Sequence, residues 1–232
     1  MNSSKRKFLG QILIVGSAAV FPPLRVAMAV SEAEITPSEI LARGHGIIDR
    51  ALLLFQVAAL RLEKNEALPT GGLRSLIQLS QKFFHQYHEP LEELYVFPVL
   101  DGDAELRPLI KTLQVQHNDG RRISSLLEDA YHLPAEKTKV QNLESAASIR
   151  AFVRMYEAHA AFEDTAVFPA LEHRLTAVAY RSLSKKFAKK ESEVFGHHHA
   201  FSSTLKELSS LEIAFGSADL ASYSISPNPE KA

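Results

Sequence analysis

The segment His88-Glu89-Pro90-Leu91-Glu92-Glu93-Leu94-Tyr95-Val96-Phe97-Pro98 returns 71 residues later as His159-Ala160-Ala161-Phe162-Glu163-Asp164-Thr165-Ala166-Val167-Phe168-Pro169. Each copy holds a histidine, an acid four residues on, a second acid beside it, and then Phe-Pro. At this chain's composition a given histidine is followed by that set with a probability on the order of 4 in 100,000, so two copies are not coincidence. On a helix, residues i and i+4 lie one above the other, so each copy presents an imidazole and a carboxylate as a two-pronged donor. The prolines at 98 and 169 lack an N–H and disturb the helical bonding one turn beyond the acids.

Working outward from the two copies, apolar residues recur at three- and four-residue steps in five blocks from Thr36 onward, and no alternating strand pattern persists. The reading is an all-α, up-down-up-down four-helix bundle with an additional C-terminal helix. Thr36, Pro37 and Glu39 mark the start of a first helix running to about Asn65, with Leu41, Ile48, Leu52, Phe55, Ala59 and Leu62 as its core stripe. A turn at Pro69-Thr70-Gly71-Gly72 opens the second helix, which ends near Pro98. The third runs from about Ala104 to His132 before Pro134, the fourth from about Val140 to Leu171, and a fifth from about Ala179 to Phe215 packs outside the bundle. Together they form one domain over 36–215, and the Ser- and Pro-containing tail over 217–232 reads as flexible.

Two more histidines complete a set. His45 falls in the core stripe of the first helix and His117 in that of the third, so each bundle helix sends one histidine inward, and the second and fourth add Glu92 and Glu163. A single inward histidine is usually a hydrogen-bonded core residue. Four of them converging with two acids read differently, because two carboxylates in a bundle core need cations to neutralise them. The chain has no cysteine, so the donors are nitrogen and oxygen, and that mixture suits iron, with manganese as the other candidate. The candidate metal ligands are therefore His45, His88, Glu92, His117, His159 and Glu163, the glutamates bridging two ions. Asp164 competes with Glu163 for its role, His85 reads as a rim group beside the ligands, and Asp49 either orients His45 or is a solvated surface acid. Phe83, Phe84, Phe152 and Phe162 read as packing around the site. The run His197 to His199 points three ways from its helix, and Lys185, Lys186, Lys189 and Lys190 form a wet face opposite Phe187 and Phe195.

With these residues in view the chain resembles the hemerythrin-like, or HHE cation-binding, domains. The likeness rests on the stretches around His45 (H-G-I-I-D-R), His88, His117 (Q-H-N-D-G-R-R) and His159, and it covers about 36–215. It implies a non-haem di-iron centre of two iron ions in a four-helix bundle, with the same six residues at the ligand positions. Oxygen-carrying members place a second histidine four residues after the one on the third helix, where this chain has Arg121. The implied function is binding or sensing of dioxygen or a related small molecule such as peroxide or nitric oxide. Oxidoreductase activity (ferroxidase, peroxidase or nitric-oxide handling) and a metal-storing interaction module are the alternatives. No second nucleophile, acid/base pair or phosphate loop is visible.

The rest of the composition sets limits. Twenty-six basic residues against 27 acidic ones give a net charge of −1, which lacks the clustered basic excess that nucleic-acid binding needs. The chain opens with Lys5, Arg6 and Lys7, a short apolar run from Ile12 to Phe21, and the small-x-small pattern Ala27-Met28-Ala29. This reads as an export signal over 1–29, cleaved after Ala29, with a twin-arginine-like motif in which Lys5 takes the first arginine's place. The apolar run is too short to serve as a stable membrane anchor. The expectation is a periplasmic protein, with protein partners left open.

Overall fold

In the computed structural model of the chain the described residues are 35–132, 137–196 and 198–224. The expected export signal over 1–29, His197 and the end of the tail lie outside them. The described residues contain helices and no strand. Helix α1 (Pro37–Glu63) starts where the Thr36 hydroxyl accepts from the Glu39 N–H (3.2 Å), with Pro37 in the first turn. After the left-handed Gly71 (φ 69°), α2 occupies 72–100; α3 is Arg107–Tyr131, and α4 occupies 139–174, opened by a Thr138/Gln141 capping box. The four pack in a ring, α1 against α2 and α4, α3 against α2 and α4. The expected stripe of α1 is buried throughout, Leu41 and Ala59 completely. None of these helices is long and apolar enough to cross a membrane.

Both motif-bearing helices widen at the motif. In α2 the turns Gln81–His88 and Glu92–Val96 adopt π geometry, and in α4 Glu163–Val167 does the same. The Phe97 N–H reaches back five residues to the Glu92 carbonyl, and Phe168 does so to Glu163. Each wide turn ends just before a proline that has no N–H to donate, so the helix passes Pro98 and Pro169 instead of ending there. α2 thus continues to Leu100 and α4 to Arg174.

The single C-terminal helix expected over 179–215 is two helices, α5 (Ala177–Phe195) and α6 (Ala200–Phe215). Gly196 breaks it at φ 64° and ψ −126°, a conformation that favours glycine. The break returns the chain onto the bundle, where Arg50 makes a bidentate pair with Glu212 (2.8 and 2.7 Å) and Arg61 donates to the Phe215 carbonyl (3.0 Å). Phe187 and Phe195 are buried, and Lys185, Lys186 and Lys189 are exposed. Within the expected flexible tail, Leu220–Tyr223 forms a 3-10 turn that the Asp219 carboxylate caps by accepting from the Ala221 N–H (2.9 Å).

Candidate metal centre

All six expected ligand residues converge in the middle of the bundle. His45, His88, His117 and His159 are at most 4% exposed, and Glu92 and Glu163 are fully buried. Glu92 Oε1 lies 3.0 Å from His88 Nε2 and 3.8 Å from His45 Nε2, while Glu92 Oε2 lies 3.4 Å from His117 Nε2. Glu163 Oε2 lies 3.1 Å from His159 Nε2 and 3.3 Å from His45 Nε2. Two overlapping donor groups result: His45, His88 and Glu92 in one, and Glu92, His117, His159 and Glu163 in the other. Glu92 belongs to both, and Glu163 reaches the first through His45.

The polar atoms at the centre are short of partners. His45 Nε2, His88 Nε2 and all four oxygens of Glu92 and Glu163 are buried without an aligned hydrogen bond, and among the described residues no Lys or Arg pairs with either glutamate. His117 Nε2 and His159 Nε2 face each other at 3.0 Å. The opposite nitrogen of each ring meets an oxygen acceptor, Glu93 Oε1 for His117 (2.9 Å) and Gln116 Oε1 for His159 (3.0 Å). With each Nδ1 donating to its oxygen, the two neutral rings turn the electron pairs of their Nε2 atoms toward each other. A cation between the two, a proton or a metal ion, relieves that opposition.

Without a metal, protons supply that charge. Burial opposes protonation of His45, but Asp164, Glu163 and Glu92 outweigh it and raise the ring well above its ordinary value. Burial likewise opposes protonation of His117, and Glu92 and Glu93 override it, to about 10. Burial alone would push the Glu92 carboxyl up; the charge of His88 and the approach of three ring nitrogens hold it well below the ordinary carboxylate value.

The repeat now has a physical account. Its first acid, Glu92 or Glu163, faces the centre; its second serves the histidine of a neighbouring helix. Glu93 accepts from His117 Nδ1, and Asp164, with a 40% exposed side chain, accepts from His45 Nδ1 (2.9 Å). The phenylalanines act in the same crossed way: Phe97 stacks on His117 (centroids 5.7 Å, 23°) and Phe168 on His45 (5.3 Å, 21°). Phe83 stacks on His88 (6.2 Å, 14°). Gly44, buried in α1, leaves the room that His88 fills, because a Cβ there would fall on the imidazole.

The structure resolves three smaller expectations. Asp164 rather than Asp49 orients His45, and Asp49 sits on the exposed side of α1. Phe162 is 56% exposed on the outward side of α4, whereas Phe83, Phe84 and Phe152 are buried. His85 stands beside the ligands and points away from the centre: its Nδ1 donates to Glu89 Oε1 (2.8 Å), and its Nε2 shares a hydrogen bond with the Ser124 hydroxyl (2.9 Å). Sequence reasoning missed Glu89, 1% exposed and bound by the Tyr156 hydroxyl (2.6 Å), and also Gln116. Glu89 stands four residues after His85 and beside His88, which was its one available signal. Burial would raise Glu89, but His85 and its other partners hold it down at about 2.

Fold and donor set together define a helical bundle built around a candidate metal-binding centre. The chain belongs to the hemerythrin HHE cation binding domain family, whose model matches residues 36–171. Relatives from Mycobacterium tuberculosis and Mycobacterium bovis, each described only as an uncharacterized protein, are 32% identical over 198 residues, covering 83% of this chain and 75% of theirs. No solved structure is a significant match. The family match ends at 171, so α5 and α6 lie beyond it.

Proposed function

We propose that this chain is an exported, non-haem di-iron protein whose centre binds or senses dioxygen or a related small molecule, peroxide or nitric oxide. The observation that carries the reading is the facing pair of His117 and His159 Nε2 atoms at 3.0 Å, set among four carboxylate oxygens without aligned hydrogen bonds. His45 and His88 would hold one ion, His117 and His159 the other, with Glu92 and Glu163 shared. Neutral imidazole and carboxylate suit iron, and manganese fits the same donors. Iron bound there would supply one-electron redox chemistry and coordination positions open to a small ligand. The chain's own part is to bind and orient. Glu93, Asp164 and Gln116 fix the rings through their Nδ1 protons, and the rings of Phe83, Phe97 and Phe168 keep water from the histidines.

The test is spectroscopic. Protein loaded anaerobically with iron(II) is exposed to air, then returned to anaerobic buffer, with visible spectra taken at each stage. A new absorption band that disappears on removing oxygen supports binding or sensing. Steady consumption of peroxide or nitric oxide by the loaded protein would move the assignment to an enzyme, and an unchanged spectrum would leave an inert metal site.

A further inference from the structure

Beside the His117 half of the centre lies a second polar layer outside the ligand set. Arg121, one turn after His117 on α3, brings Nη2 within 2.7 Å of both Glu93 Oε1 and Glu89 Oε2. Glu93 Oε1 also accepts from His117 Nδ1. Glu89 is held in turn, its Oε1 accepting from the Tyr156 hydroxyl and from His85 Nδ1. Gly120 makes room for that tyrosine, since a Cβ there would fall on its hydroxyl. The His117 ring is thus fixed by an acceptor that is itself held by the Arg121 guanidinium, whose Nη2 is shared between Glu93 and Glu89. The other half lacks such a clamp. Asp164 accepts from His45 Nδ1, but among the described residues no Lys or Arg pairs with it, and Asp49 adds like charge beside it.

We propose that Arg121 is a positioning residue for the His117–His159 half of the centre, acting through Glu93, and that the two halves consequently take up divalent metal with unequal affinity, the Arg121-supported half first. This rests on the two-metal reading above. A ring already aimed loses little freedom when it ligates, and a group that holds a ligating histidine contributes about ten- to a hundredfold in metal affinity.

The experiment is an anaerobic titration of the full chain with cobalt(II), followed by visible absorption in competition with a chelator of known affinity. The wild type should fill in two resolved steps. Arg121→Ala should weaken the first by about ten- to a hundredfold and leave the second in place, while Asp164→Asn should weaken only the second. In a Glu93→Ala background, Arg121→Ala should add little further loss, which a merely structural role for the arginine would not produce. Arg121→Lys keeps the charge beside Glu89 and Glu93 and loses the planar guanidinium; it should weaken the first step by a smaller factor, and it carries the test if the alanine variant does not fold. Equal wild-type steps, or equal weakening of both by Arg121→Ala, would overturn the proposal with the two-metal reading intact. Failure to bind cobalt at all would remove that reading, and the proposal with it.

Discussion

Glu92 and Glu163 are carboxylates in a bundle core, faced by ring nitrogens and, among the described residues, by no Lys or Arg. Burying such groups without compensating cations is strongly unfavourable, so removing either should cost most of the bound metal. Elemental analysis of Glu92→Ala and Glu163→Ala decides this, and near-full loading in both would contradict the assignment. The pH dependence has a definite sign. His45 and His117 are protonated above the ordinary histidine value in the metal-free chain, and a metal must displace those protons. Binding should therefore release protons near neutral pH, and affinity should rise as pH increases toward about 10, the His117 value. Titrations in a weakly buffered solution read the release directly; binding without proton release would show that the two rings are already neutral.

At the scale of the element, the wide turns before Pro98 and Pro169 aim three groups at once, an acid at the centre, an orienting acid and a phenylalanine. The i, i+4 pairing of histidine and glutamate was legible in the sequence because it depends only on helical period. The service that Glu93 and Phe97 give to His117 was not, because it crosses from α2 to α3 and depends on packing. For the same reason Asp164 could not be separated from Glu163 by spacing alone; the π turn puts one at the centre and its neighbour at the rim. The break at Gly196 was missed because the apolar period runs on through both helices, and one glycine is a weak stop signal. Two glycines two residues apart in α1 test the packing. Gly44→Ala should displace His88, destabilise by about 1–3 kcal/mol and weaken metal binding. Gly46 has open space around it, so Gly46→Ala should stabilise α1 by about 0.5–1 kcal/mol and leave metal binding unchanged. Thermal unfolding and metal content of the two variants check this; similar behaviour would mean that Gly44 does not set the His88 position.

For the whole molecule, a metal held at the centre would be coupled to the fold through the four helices that each supply one histidine. A ligand that binds only the folded chain adds about 2.7 kcal/mol at a hundredfold excess over its dissociation constant. Loading should raise the melting temperature by roughly 5–10 °C, and a chelator should reverse the rise. An unchanged melting temperature in calorimetry would mean that the metal lies outside the bundle core. The C-terminal helices α5 and α6, beyond the family match, close over the bundle through Arg50–Glu212 and the aromatic contacts of Phe83 with Phe195 and Phe201. The central claim is that six side chains from four helices hold two metal ions, and the most direct test is metal content per chain, by elemental mass spectrometry, after anaerobic iron loading. The account predicts about two irons per chain. A chain that retains no stoichiometric metal would contradict it and make the four inward histidines structural.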